Sequence, residues 1–411
     1  MAGDGGRDEQ GTGPERGAWR ALIVATFAYM MTFWAWGLLS PLAPDYRDLL
    51  ELAPLQVSLL VAVPVFLGSV ARVPLGALTD RYGGRLVFSL LSLLVILPLL
   101  LLAFLETYPT LLLGALLLGV SGASFAVGVP FVNAWFPPER RGTALGIYGL
   151  GGVGTGVAAF TTQPVADLTS RTGVFLLVAA VMLLTGAVTW MLGRDASGWE
   201  PQLAPVRARL RKALSLRLTL DLAGLYAITF GGFVAFGVYL PTYLQAIYGL
   251  EVGHAAARTG GFILLATLAR PVGGMLADRF GGPRVLVWAL AIVGFGAVVI
   301  AFEFPLIAAT VMFLAVAAAL GAGNGAVFAL VGRRSPPSSV GAVTGFVGAA
   351  GGLGGFLPPL VMGAAFQVTG SYTIGWMLLS NVAFAGVVYT AWRFIAEDRR
   401  AAQQASVHTH G

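Results

Sequence analysis

A chain of 411 residues that is 57% hydrophobic and only 11% charged, with a mean hydropathy of +0.82, cannot wet its own surface. A soluble domain carries about 25% charged residues, so this composition excludes the soluble classes and places the chain in lipid. The net charge of +6 is spread as short basic clusters between apolar runs. That pattern belongs to membrane topology and not to a nucleic-acid-binding stripe.

The first segment, residues 1–18, is rich in glycine and mixed in charge, and is expected to be a disordered cytoplasmic N-terminus. It is not read as a secretory signal, because the first apolar run is full length. A bilayer core of ~30 Å needs about 20 apolar residues per helix. Such runs fall at 19–43, 55–78, 86–106, 109–134, 142–164 and 173–193, numbered here spans 1 to 6. Six more, spans 7 to 12, fall at 218–244, 255–277, 284–303, 305–331, 340–366 and 373–395. The polar stretch 194–217, with Arg207, Arg209, Arg211, Lys212 and Arg217, divides the chain. The expectation is an all-α membrane protein of twelve transmembrane helices in two pseudo-symmetric six-helix halves, 19–193 and 218–395, with a cytoplasmic linker and a cytoplasmic tail, 396–411. Of the 25 basic residues, only Arg47, Arg171 and Arg258 then lie on the side opposite the termini. Positive loops stay cytoplasmic, so both termini are expected inside and the chain in the cell's inner (plasma) membrane.

Two arginines belong to no loop. "VARVPLGALTDRYGGR" (70–85) and "LARPVGGMLADRFGGPR" (268–284) are near-copies, placing Arg72 and Arg270 eight residues before the pairs Asp80-Arg81 and Asp278-Arg279. "GASFAV" (122–127) is repeated as "GAVFAL" (325–330), and "GTALGIYGLGGVGTG" (142–156) as "GAVTGFVGAAGGLGG" (341–355). Duplicated six-helix halves are a transporter plan with the substrate site at midplane. The Asp80 carboxylate is expected at the N-terminus of span 11 and that of Asp278 at span 5, where free amides and the helix dipole favour an anion. These pairs, with Arg81 and Arg279, read as gate latches. "GLGGVG" (149–154) fits the dinucleotide pattern but lies inside an apolar helix with no preceding strand. Gly142, Gly146 and Gly149, with Gly341, Gly345 and Gly348, have the spacing of close helix packing. Gly149, Gly151, Gly152, Gly351 and Gly352 are candidates for the packing and the substrate path.

By helical rise Arg72 and Arg270 lie about 12 Å in from their loops, where an arginine costs ~2.5–3.5 kcal/mol to insert. All 19 acidic residues fall in loops, tails or span ends, the nearest being Asp167, Asp221 and Glu303. Two guanidiniums without a carboxylate at their depth call for an external anion, and their planar fork suits a flat oxyanion. The aromatics Phe33, Trp36, Phe125, Tyr226, Phe230, Phe233, Phe236 and Phe328 favour a small, weakly hydrated one. No cysteine is present, and His254, His408 and His410 lie near loops or in the tail, so neither metal nor cofactor is expected.

"GASFAVGVPFVNAWFPPERRGTALGIYGLGGVGTG" (122–156), "YAITFGGFVAFGVYLPTYL" (226–244), "GAGNGAVFALV" (321–331) and "GAAGGLGGFLPP" (348–359) resemble the nitrate/nitrite porters, NarK-type members of the major facilitator superfamily. The resemblance implies the major facilitator fold, with Arg72 and Arg270 holding nitrate or nitrite between them. It also implies that Tyr226 and Phe230 line the site, that Phe125 sandwiches the anion and that Phe33 supplies a span 1 aromatic. This chain has Gly152 where many relatives carry asparagine, and Asn324 on span 10 is the polar candidate to replace it. The expected function is nitrate/nitrite exchange by a monomer. The alternatives are a proton-coupled nitrate symporter and a carrier of small organic anions. A sensor would add a signalling domain, and an enzyme would need a nucleophile–base pair or metal cluster within the spans.

Overall fold

The computed structural model describes residues 14–52, 54–201, 204–355 and 357–396, and these are mostly helical, with no strand among them. Span 1 is the helix Pro14–Gly37, continued after one turn by Leu39–Leu50. Span 2 is Pro54–Tyr82, span 3 Gly84–Phe104 and span 6 Arg171–Leu192. Span 7 is Arg217–Tyr248, span 8 Val252–Phe280, span 9 Gly282–Ala301 and span 10 Leu306–Arg334. Span 12 is Thr373–Thr390, closed by a π-turn over Ala391–Ile395.

Among the described residues nine helices are long and apolar enough to cross a membrane, and a pair bent by 41°, Pro138–Ala158 with Phe160–Leu168, makes a tenth. Span 2 and the broken span 11 complete the twelve. Apolar residues on all sides are the mark of a spanning helix, and the outward faces carry Leu97, Leu183, Phe295 and Ile307, all more than half exposed. Outside the spans, the linker holds a short helix, Val206–Ser215. The terminal segments expected to be disordered lie largely outside the described residues. Residues 14–18, assigned above to the N-terminal tail, are already the first turn of span 1.

Besides the one-residue break at Leu38 in span 1, three spans are not the continuous helices that apolar length suggests. Span 4 runs Tyr108–Leu118, tightens to 3₁₀ over Gly119–Ala123 and resumes at Ser124–Asn133. Span 5 runs Arg141–Tyr148, tightens over Gly149–Val153 and resumes at Gly154–Leu168. Span 11 stops at Gly354 and restarts at Leu357, reaching Thr369. Each break in these three spans falls on a glycine run, where the backbone is least restrained.

Glycines also set the contact between the halves. Gly76 of span 2 faces Gly341 and its carbonyl on span 11, while Gly274 of span 8 faces the Gly142 carbonyl on span 5. Toward the face carrying the 2–3 and 8–9 turns, the basic face, both halves share one hydrophobic core. It runs from Phe88 and Phe131 to Leu286, Val327 and Val343. Toward the opposite face the second half keeps a core of its own around Phe236, Tyr243, Phe313 and Trp376. The halves are therefore joined at the basic face.

The 2–3 and 8–9 turns pivot on Gly83 (φ +84°) and Gly281 (φ +90°), a region that side-chain-bearing residues rarely enter. A Cβ on Gly83 would stand 2.6 Å from the Asp195 carboxylate, whereas one on Gly281 meets nothing nearer than Pro283 Cδ at 4.0 Å. Both alanine variants are expected to lose about 1–3 kcal/mol from backbone strain. Gly83→Ala should lose more, as the larger drop in melting temperature in detergent.

Candidate functional site

The carbonyl groups of the glycine runs are the first determinant of the site. Arg72 and Arg270 are 3% and 5% exposed. Arg72 donates from Nε to the Gly122 carbonyl (3.2 Å), within the 3₁₀ turn of span 4, and from Nη1 to the Gly348 carbonyl of span 11 (2.7 Å). Arg270 donates from Nη1 to the Gly149 carbonyl (3.3 Å), at the 3₁₀ turn of span 5. A guanidinium needs acceptors when buried, and glycine carbonyls are unshielded by side chains. Each arginine thus reaches a carbonyl of the other half, and among the described residues neither has a carboxylate partner. Donor capacity remains, and among the described residues the Arg270 Nε has no hydrogen-bond partner.

The two guanidiniums converge on one ring. Arg72 Cζ lies 5.6 Å and Arg270 Cζ 5.5 Å from the Phe230 centroid, and Arg270 is also 5.2 Å from that of Phe233. Phe230 stacks on Tyr226 (5.0 Å, 9°), Tyr226 meets Phe328 edge-on (4.8 Å), and Phe328 meets Phe125 (4.6 Å). From Phe125 the ring wall passes to Tyr29 (5.4 Å) and Tyr148 (5.6 Å). Spans 1, 4, 5, 7 and 10 therefore contribute to one continuous aromatic wall around a cationic centre.

Sequence reasoning missed Tyr29. It is buried, and a Cβ built on Gly152 would stand 3.4 Å from its hydroxyl and 3.3 Å from Arg270 Nη1. The expected span 1 aromatic, Phe33, instead packs behind Tyr29 (4.4 Å) and against Trp36 (5.2 Å), one ring removed from the arginines. The available signal was the repeat, since Tyr29-Met-Met-Thr-Phe33 matches Tyr226-Ala-Ile-Thr-Phe230 of span 7. Asn324 is 2% exposed, and among the described residues neither its Oδ1 nor its Nδ2 has a hydrogen-bond partner. Its neighbour Gly325 backs onto the Arg270 carbonyl, and Phe328 follows one turn later. Gly151 and Gly351 seat the rings of Tyr29 and Tyr226, and Gly352 abuts Ser69. Gly149 and Gly348 leave room for the Arg270 and Arg72 stems, 3.2 and 3.1 Å from a Cβ there.

At the basic face Asp80 accepts from the amides of Gly341 (2.8 Å) and Ala342 (3.1 Å), in the first turn of span 11. Asp278 accepts from the amides of Gly142 (3.1 Å) and Thr143 (2.7 Å), in the first turn of span 5, and from the Thr143 hydroxyl (2.8 Å). The arginines that cross between the halves are not those of the Asp-Arg pairs. Arg81 and Arg279 stack on the adjacent Tyr82 and Phe280. Arg333 binds Asp278 (2.9 Å) and the Pro138 carbonyl (2.9 Å), and Arg141 reciprocally binds the Gly332 carbonyl (2.9 Å).

Twelve spans in two duplicated halves, closed at one face over a buried cationic centre, define a membrane carrier. The chain belongs to the major facilitator superfamily, whose family description, Major Facilitator Superfamily, matches residues 25–269 and 222–409. It is 44% identical over 385 residues to the Mycobacterium tuberculosis (strain ATCC 25618 / H37Rv) protein "Probable nitrate/nitrite transporter NarK2", covering 92% of this chain and 96% of that one. It is 35% identical over 379 residues to the Bacillus subtilis (strain 168) "Nitrite extrusion protein", covering 92% and 94%. Among solved structures it superposes on the human organic anion transporter MFSD10 with a TM-score of 0.73 at 16% identity, covering 92% of this chain and all of that one. The transporter FucP gives 0.73 at 17% identity, covering 91% and 99%. The fold and the family agree: the protein is a multi-pass carrier, not an enzyme.

The glycines around the site differ in what they tolerate. A Cβ on Gly351 would stand 2.5 Å from Tyr226 Cε1 and 3.2 Å from Phe230 Cδ1, both parts of stacked rings, whereas at Gly152 it comes no nearer than 3.3 Å to Arg270 Nη1 and 3.4 Å to the Tyr29 hydroxyl. Gly351→Ala is expected to cost about 1–3 kcal/mol by overpacking, because its 2.5 Å approach is far shorter than the 3.3 and 3.4 Å found at Gly152. Gly152→Ala should leave the thermal unfolding midpoint close to that of the parent chain.

Proposed function

We propose that this chain carries nitrate and nitrite across the inner membrane by alternating access, exchanging one for the other, with the anion held between Arg72 and Arg270. The observation that carries this reading is the convergence of two carboxylate-free guanidiniums, one from each half, on the Phe230 ring. The names of the relatives from Mycobacterium tuberculosis and Bacillus subtilis support the choice of anion. A flat monoanion matches the guanidinium fork, and walls of stacked rings suit a weakly hydrated ion better than a strongly hydrated dianion. Tyr226, Phe230 and Phe125 form those walls in this reading, with Phe33 supporting Tyr29. The Tyr29 hydroxyl and the Asn324 amide supply the neutral hydrogen-bonding groups, and a single copy of the chain completes the site.

Exchange follows from electrostatics. Closing an empty pocket would strip water from two cations at a desolvation cost of several kcal/mol each. A bound monoanion offsets that cost, and the low-dielectric surroundings strengthen its hydrogen bonds. The described spans place no carboxylate or histidine against the guanidiniums to carry a proton. In proteoliposomes holding an internal pH dye, nitrate uptake is expected to require internal nitrite or nitrate and to leave internal pH unchanged. Uptake into empty vesicles with stoichiometric acidification would establish the symporter instead. Arg72→Lys and Arg270→Lys should each weaken nitrate binding about tenfold or more, since each charge-assisted hydrogen bond is worth ~1.5–3 kcal/mol. Near-parental affinity in either variant would remove the site reading.

The basic face is cytoplasmic in this scheme, with both termini inside, and Asp80 and Asp278 are its latches. The latch contacts end on helix N-termini of the opposite half and must break when that face opens. Asp80→Asn and Asp278→Asn are expected to change turnover at saturating nitrate while leaving the dissociation constant nearly unmoved. A collapse of affinity with the rate intact would assign these residues to binding.

A further inference from the structure

Spans 8, 9 and 10 enclose a groove of about 960 Å³ that opens sideways from the bundle and is almost wholly apolar. Leu268, Val272 and Leu276 of span 8 line it and are 37–50% exposed, so it faces the hydrocarbon. Along span 8 it runs from Leu265 to Phe280, about 22 Å by helical rise and longer than one leaflet's half of a ~30 Å core. The far wall is span 10, where Ala315, Ala318, Ala319 and Ala322 leave the volume unfilled. The matching stretch of span 4 in the sequence repeat carries Leu112, Ala115, Leu116 and Gly119, so two leucines stand in the first half where the second has alanines.

At its basic-face end the groove holds one charge, Arg284. The counterpart in the first half, Arg85, is already engaged, its guanidinium 4.4 Å over the Trp190 ring and its Nε donating to the Trp190 carbonyl (2.8 Å). Arg284 is exposed, and among the described residues it donates only to the Phe280 carbonyl one turn earlier (3.3 Å) and pairs with no carboxylate. Trp288 stands one turn further along span 9, on the groove and 72% exposed.

We propose that this groove is a binding site for one anionic phospholipid of the leaflet at the basic face, its phosphate against Arg284 and an acyl chain along the alanine wall. An unneutralised cation at the bilayer interface attracts an anionic headgroup, and the apolar groove beside it needs a hydrocarbon chain, which a free phosphate lacks. The site is independent of the transported anion.

Trp288 supplies the probe. The full-length protein is reconstituted in phosphatidylcholine vesicles, and tryptophan quenching by chain-brominated phosphatidylglycerol is compared with that by chain-brominated phosphatidylcholine. The anionic lipid is expected to quench an additional component at about fivefold lower mole fraction, the preference one interfacial cation provides. That component should vanish in Trp288→Phe, fall to the phosphatidylcholine level in Arg284→Gln and persist in Arg284→Lys. Ala319→Leu, which narrows the groove and keeps the charge, should reduce it, and excess inorganic phosphate should not displace it. Equal quenching by the two lipids, a preference surviving Arg284→Gln or Trp288→Phe, or displacement by phosphate would overturn the proposal.

Discussion

A guanidinium buried at the middle of a membrane must find acceptors, and here it finds backbone carbonyls of the opposite half. Arg72 reaches Gly348 and Arg270 reaches Gly149, equivalent glycines of the two repeats. This contact dictates much else in the bundle. A carbonyl can be offered sideways only where no side chain shields it, so spans 5 and 11 carry glycine runs. Two helices can approach to that distance only where both are thin, so Gly76 meets Gly341 and Gly274 meets Gly142. The 3₁₀ turns of spans 4 and 5 fall on the carbonyls of Gly122 and Gly149, which accept from the arginines.

Each interface between the halves is consequently one helix pair pinned at two heights. On span 2, Asp80 grips the first turn of span 11 and Arg72, eight residues away, grips Gly348. On span 8, Asp278 grips the first turn of span 5 and Arg270 grips Gly149. The repeated eight-residue interval matches the seven residues from Gly341 to Gly348, and from Gly142 to Gly149, along the partner helix. In the proposed cycle this shared rail couples gate to site. An anion that draws an arginine's donors loosens the middle pin of the same helix pair whose end pin is the latch.

The two arginines, the two aspartates and the glycine spacing were legible because duplication wrote each of them twice. A feature present at the same place in both halves stands out from the apolar background without any structure. Tyr29 is written twice as well, since Tyr29-Met-Met-Thr-Phe33 matches Tyr226-Ala-Ile-Thr-Phe230, but only the three-dimensional approach of Gly152 and Arg270 sets it ahead of Phe33. What the halves do not share was harder to read. Arg141 and Arg333 read as ordinary positive loop residues, yet they, and not Arg81 and Arg279, cross between the halves. Pattern gives the depth of a residue along a helix but not which neighbour its side chain chooses. The broken helices escaped for a related reason, since an apolar run has the same hydropathy whether it is α-helical or 3₁₀.

The pseudo-symmetry of the cations extends to the sequence of the rings, where Tyr29, Phe33 and Phe125 match Tyr226, Phe230 and Phe328, but not to the contacts those rings make with the guanidiniums. Phe230 serves both guanidiniums, but Phe233 adds a second ring to Arg270 alone, and both belong to the second half. Arg72 is tied to two carbonyls and Arg270 to one, with its Nε unpartnered. Arg270 therefore retains more donor capacity and, beside the Tyr29 hydroxyl, more polar company. In the proposed site, a three- or two-oxygen anion between them would meet two unequal forks, which would orient it off the axis instead of leaving it free to rotate. Small differences between oxyanions then become differences in how the two halves are bridged. With no carboxylate against the guanidiniums among the described residues, that inequality would be the means by which the proposed site tells one monoanion from another.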